Sequence, residues 1–170
     1  MNLEEKIAEI PDFPKKGILF RDISPLLRDP SALSLVVDEF TKLYHTNEID
    51  LIAGIESRGF PLACALALRY NKGMIMIRKQ GKLPGATKKI SYNIEYGSAT
   101  MEIQKDAIKK GQRVLVCDDL LATGGTAKAA AKLVEKIGGI VTGFAFIIEL
   151  TDLKGSKEIK SYRHESLVKY

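Results

Sequence analysis

Cysteine and histidine are scarce in this chain: Cys64 and Cys117 are its two cysteines, His45 and His164 its two histidines. No CxxC pair occurs. Both cysteines lie in apolar segments and read as reduced core residues, and so few ligands disfavour a zinc site. No apolar run approaches the roughly 20 residues of a membrane-spanning helix, and the opening MNLEEKIAEI is acidic and amphipathic rather than signal-like. A cytoplasmic protein with no membrane association is therefore expected. The pattern GxxxxGK[ST] is absent, which disfavours a nucleoside-triphosphate P-loop. Basic helices and basic–aromatic alternation are missing too, so no nucleic-acid partner is expected. The formal net charge of +5 comes from scattered lysines and suits either a polyanionic small substrate or a generally lysine-rich surface.

At 170 residues, 45% hydrophobic and 28% charged, the chain fits one domain without linker, repeat or low-complexity segment. Its organising stretch is RVLVCDDLLATGGTA, Arg113 to Ala127. Val114-Leu115-Val116-Cys117 reads as a strand buried on both faces. Two carboxylates, Asp118 and Asp119, follow at once, then Ala122-Thr123-Gly124-Gly125-Thr126 and an alanine-rich helix. Gly124 and Gly125 lack Cβ, so the backbone can turn sharply and offer several N–H groups to one anion. Thr123 and Thr126 add hydroxyls, and the helix presents its positive end. Hydrogen bonds to a charged group contribute roughly 1.5–3 kcal/mol each, so a few such donors hold a phosphate monoester. Asp118 and Asp119 would repel that phosphate and should face ribose hydroxyls or a magnesium ion through water. A glycine turn with an aspartate helix cap explains any one of these features; their order points to a ribose-phosphate ligand.

Leu3, Ile7 and Ile10 recur at helical spacing, predicting a short amphipathic helix broken by the Pro11–Gly17 segment. Ile18 to Leu27 reads as a packed loop with a short strand. Asp29-Pro30 starts a helix whose apolar face is Leu33, Val36, Val37, Phe40 and Leu43. Buried strands are expected at 50–55, 73–77, 113–117 and 140–149, alternating with helices, which implies a largely parallel, right-handed α/β sheet. The first strand ends in Glu56-Ser57-Arg58-Gly59, a second anion loop with Arg58 as its side chain at the ligand, or else an arginine at a helix start. From Arg78 to Lys89 the chain is basic and almost without core formers, a linker or a lid on a β-ribbon formed by 90–96 and 100–104. Such a lid would exclude water and bring Lys79 and Lys82 to a phosphate. Glu95 beside Tyr96 is, by itself, an ordinary surface pair.

VLVCDDLLATGGTA resembles the phosphoribosyl-pyrophosphate (PRPP) motif of the type I phosphoribosyltransferases. FPKKGILFRDISPLL, ESRG, RKQGKLPG and IEYG resemble segments of the adenine-specific members of that family. The resemblance implies their fold: a central mostly parallel sheet flanked by helices, an N-terminal hood over the base at residues 1–28 and a flexible catalytic lid at 78–104. It implies transfer of phosphoribosyl from PRPP to adenine N9, giving AMP and pyrophosphate, with Mg2+, in a homodimer. The 5′-phosphate would sit on Ala122–Thr126, the ribose on Asp118 and Asp119, and the pyrophosphate near Glu56, Ser57, Arg58, Lys79 and Lys82. The main chain at Leu19 would read the adenine edge, with Phe20 and Arg58 against the ring. Glu95 would act as general acid/base and Tyr96 would position the reactants; Asp118 and Asp119 are the carboxylates nearest any metal. Enzymes for 6-oxopurines usually carry a lysine after the strand that here runs Phe144 to Glu149, and none occurs before Lys154. A PRPP-sensing regulator, or a transferase for another base, stays open as an alternative.

Overall fold

The computed structural model describes residues 2–94 and 97–170. A single 3-10 turn at Glu4–Lys6 leads into strand β1, Ala8–Pro11, which pairs antiparallel with β2, Leu19–Asp22. The predicted N-terminal helix is thus corrected to one turn and a hairpin. Isolated short helices are marginal, and pairing with β2 satisfies the same backbone groups. Helix α1, Ser24–Arg28, has Pro25 in its first turn and replaces part of the expected packed loop. Helix α2, Pro30–Leu43, starts as expected: the Asp29 carboxylate accepts from the amides of Ser31 and Ala32.

The main sheet is built from β3 (Leu51–Ile55), β4 (Gly73–Lys79), β5 (Thr87–Ile94), β6 (Gly97–Gln104), β7 (Arg113–Leu121), β8 (Ile140–Glu149) and β9 (His164–Lys169). Its spatial order is β5-β6-β4-β3-β7-β8-β9. Strands β4 through β9 in that order are parallel, and β6 and β5 add antiparallel at the edge. Helix α3, Gly59–Tyr70, follows β3, helix α4, Gly125–Lys136, follows β7, and the short α5, Gly155–Glu158, precedes β9. Strand alternation sorts the core into two layers. Ile52, Leu115 and Cys117 pack with α2 and α3; Ala53, Ile55, Val114 and Val116 pack with α4.

Three further expectations need correction. Cys64 is exposed, because α3 is apolar nearly all round and its sequence does not reveal which face turns outward. Of the expected buried strand 73–77, Ile77 alone is fully buried: β6 meets β4 only at Arg78 and Lys79, leaving much of that edge open. The connection read as structureless from 78 to 89 shrinks to residues 80–86, since β4 runs to Lys79 and β5 begins at Thr87. Buried Glu102 organises it, accepting from the Leu83 amide (3.0 Å) and the Thr87 hydroxyl (3.3 Å). The start of β5, Thr87-Lys88-Lys89, is charged and mostly faces water, which hides it from a search for apolar runs. No helix among the described residues is long and apolar enough to cross a membrane.

Candidate functional site

From β3 the chain moves through α3 to β4 on one side, and from β7 through α4 to β8 on the other, so the order of the sheet reverses between β3 and β7. A crevice must open there at the carboxyl ends of the strands. The two loops read as anion sites from sequence lie on either side of it. One is Glu56-Ser57-Arg58, whose Glu56–Ser57 peptide is cis; the other is Ala122-Thr123-Gly124. They enclose a cleft of about 320 Å³ lined by Glu56, Ser57, Arg58, Lys79, Asp118, Asp119, Ala122, Thr123, Gly124 and Thr126, with Phe146 at the sheet.

Close backbone approach shapes both loops. A Cβ on Gly59 would lie 2.5 Å from the Cys117 carbonyl oxygen, so only glycine lets α3 start against β7. Gly124 has φ +87°, and a Cβ there would lie 2.5 Å from the Gly155 carbonyl oxygen. Gly124 thus turns the chain into α4, whose first amides open onto the cleft.

Two of the acidic groups of the cleft, Asp119 and Glu56, are held against arginines. Asp119, 4% exposed, accepts a hydrogen bond from Arg58 Nε at 2.6 Å. Glu56 accepts from Arg78 Nε at 2.7 Å. The Asp118 carboxylate accepts from the Asp119 amide at 2.9 Å. Burial, then the charge of Asp119, holds the Asp118 proton well above the usual carboxylate range. Asp118 and Asp119 sit in the last turn of strand pairing rather than after it, since β7 extends to Leu121.

A second, more open pocket of about 340 Å³ adjoins the first, lined by Ile10, Phe13, Phe20, Asp22 and Arg58. Phe13, half exposed, meets Phe20 edge-on with centroids 5.1 Å apart. The Arg58 guanidinium lies 5.0 Å above the Phe20 ring. Hydrogen bonds from the Ser24 hydroxyl and amide hold the Asp22 carboxyl below its ordinary range. Arg58 therefore belongs to both pockets: one suited to phosphate and a sugar diol, the other to a planar, apolar ring.

The structure brings together most of the residues singled out from sequence. Gly125 opens α4 behind the cleft without lining it, and Lys82 is exposed outside it. Leu19 is exposed on β2 beside the aromatic pocket but does not line it. Glu95 and Tyr96 lie outside the described residues. Sequence reasoning missed Ile10, Phe13, Asp22 and Gly155. Phe13 had a signal, an aromatic stranded in the polar turn PDFPKKG; Gly155 had none, because its partner is 31 residues away across the fold.

A family model described as a phosphoribosyl transferase domain matches residues 25–168. Over all 170 residues of both chains, this chain is 72% identical to the adenine phosphoribosyltransferase of Nitrosopumilus maritimus. The crystal structure of adenine phosphoribosyltransferase from Thermoanaerobacter pseudethanolicus superposes with a TM-score of 0.95 at 49% identity, covering 99% of this chain and 100% of that one. The Saccharomyces cerevisiae adenine phosphoribosyltransferase, crystallised with adenine and an imino-altritol bisphosphate, superposes at 0.92 with 40% identity, covering 97% and 96%.

Proposed function

The chain belongs to the phosphoribosyl transferase family, and from that premise we propose that it transfers the 5-phosphoribosyl group of PRPP to N9 of adenine, releasing AMP and pyrophosphate in purine salvage. The observation that carries this reading is the pair of adjoining pockets sharing Arg58, one anion-binding and one aromatic, in a chain so similar to adenine phosphoribosyltransferases.

In this reading the 5′-phosphate rests on the amides and hydroxyls of Ala122–Thr126 at the start of α4. The ribose diol meets Asp118 and Asp119. Pyrophosphate faces Ser57, Arg58 and Lys79, with Glu56 holding Arg78 in place at the rim and Lys82 reaching in from its loop. Adenine enters the pocket of Phe13 and Phe20, its edge read by the main chain near Leu19. Main-chain groups matched to adenine are left unpaired by a 6-oxopurine, which discriminates strongly.

The bond from the ribose anomeric carbon to pyrophosphate breaks as that to N9 forms. By analogy with glycoside hydrolysis, positive charge builds on the sugar ring. Glu95 takes the base proton, and Tyr96 positions the reactants. We read residues 1–28 as the hood over the base and 78–104 as the lid that keeps the site dry.

A magnesium ion fits this donor set as a partner of substrate. Arg58 and Arg78 already engage Asp119 and Glu56, so Asp118 would be the protein carboxylate to face it, and substrate oxygens and water would supply the other ligands. Bound there, such an ion would neutralise charge on the leaving pyrophosphate. A homodimer is supported by the outer face of α3, where Pro61, Cys64 and Leu68 form an apolar stripe with Leu68 79% exposed. A cytoplasmic setting suits two free cysteines.

The test is a panel of bases with PRPP, following pyrophosphate release. Adenine should turn over far faster than hypoxanthine, guanine, xanthine or orotate. Preference for a 6-oxopurine or for orotate would overturn the choice of base. No turnover with any base would favour a PRPP sensor.

A further inference from the structure

Strand β2 presents two different faces. Phe20 and Asp22 point into the aromatic pocket, and alternation turns Arg21 the other way. The Arg21 guanidinium lies 3.6 Å from the centroid of the Tyr170 ring and pairs with Glu9 on β1; its side chain is only 13% exposed. Tyr170 is itself fixed by main chain. Its amide donates to the Glu149 carbonyl at 3.0 Å, and its carbonyl accepts from the Thr151 amide at 2.8 Å and the Thr151 hydroxyl at 2.6 Å.

Those bonds tie Tyr170 to the ends of β8 and the turn after it, which are part of the rigid sheet. The β1–β2 hairpin, by contrast, is a separate two-stranded sheet that, among the described residues, makes no strand pairing to the main one. Two-stranded hairpins are marginally stable alone and need packing to hold their place.

We infer that Tyr170 is a positioning residue for the base: by stacking on Arg21 it holds the back of the hairpin, and so sets where Phe20 and Asp22 stand against Arg58. Three links connect the tail to the aromatic pocket: Thr151 and Glu149 to Tyr170, Tyr170 to Arg21, and Arg21 through one peptide on each side to Phe20 and Asp22. A guanidinium over an aromatic face is held more strongly when shielded from water, and the Arg21 side chain is mostly covered. The tail after β8 thereby acquires a function that its composition does not suggest. The inference rests on the reading of this pocket as the adenine site.

The experiment compares Tyr170→Ala, Tyr170→Leu and Tyr170→Phe with wild type in steady-state kinetics and amide hydrogen exchange. Leu keeps apolar bulk against the neighbouring core but offers no ring face, and Phe keeps the ring. Ala and Leu should raise KM for adenine about tenfold, equivalent to about 1.4 kcal/mol, with KM for PRPP changed less than twofold. Phe should restore the wild-type value. Exchange should quicken over residues 8–22 in the Ala and Leu variants and stay unchanged in β7 and β8. Equal rises in both KM values, a Leu variant that behaves as wild type, or exchange that quickens throughout the sheet would each overturn the proposal. Absence of turnover with adenine in the wild type would instead overturn the choice of base, while hydrogen exchange would still decide whether Tyr170 holds the hairpin.

Discussion

Arg58 shows how a single side chain can organise two ligand subsites. Its Nε balances the buried Asp119 carboxylate while its guanidinium lies over the Phe20 ring, so one side chain links the sugar pocket to the base pocket. Glu95 carries the proton transfer in the mechanism proposed above, and Glu95→Gln removes the charge while keeping the shape. Turnover should fall by about 10²–10⁴-fold with PRPP affinity, measured by equilibrium binding, nearly unchanged. Unaltered turnover would remove Glu95 from the chemistry. Tyr70 gives a prediction about the fold. Burial pushes its hydroxyl from 10.0 up to about 12, and it donates to the carbonyls of Phe40 (3.1 Å) and Tyr44 (2.7 Å). The native state therefore keeps this proton to higher pH than the unfolded chain does. The stabilisation is full below pH 10 and disappears as pH rises through 12. Tyr44, buried and donating to the Phe144 carbonyl, is raised for the same reason and adds in the same direction. Urea midpoints should fall between pH 9.5 and 11.5, with the tyrosinate absorbance of these two groups appearing only on unfolding.

At the level of elements, the phosphate loop depends on a contact between segments distant in sequence. Gly124 and Gly155 lie back to back, and the Gly155 carbonyl occupies the space where a Gly124 side chain would go. Gly124→Ala combines a left-handed φ with that collision. It should cost about 2 kcal/mol or more, seen as a fall of roughly 4–8 °C in Tm by calorimetry, together with weaker PRPP binding. The β5–β6 ribbon shows the same dependence on distant partners. Its Tyr92 hydroxyl lies 3.2 Å from the Thr126 hydroxyl, and the Lys89 carbonyl accepts from Lys136 Nζ at 3.3 Å, so the ribbon is docked on α4 beside the phosphate loop.

For the whole molecule, the two cores on opposite faces of the sheet leave the apolar stripe on the outer side of α3 uncovered. A charge placed there should block self-association while sparing the monomer's core. Leu68→Glu should convert a dimer into a monomer in sedimentation velocity, with a change in monomer stability within about 0.5 kcal/mol. A dimer that survives this substitution would place the interface elsewhere.

The strands at 51–55, 113–117 and 140–149, the caps of α2 and α4, and both anion loops were legible in the sequence because each is encoded locally. An apolar run, a glycine or an aspartate–proline step fixes its own few residues. The β-ribbon at 90–104 was foreseen apart from its charged start at Thr87; the hairpin and the outward turn of Cys64 were not, because short exposed strands and an apolar helix carry no local mark of what will cover them. The meeting of Phe13 with Phe20, of Gly124 with Gly155 and of Arg21 with Tyr170 was decided only by the tertiary structure. Those partners are brought together by the order of the sheet strands, and that order is settled by packing the whole core at once.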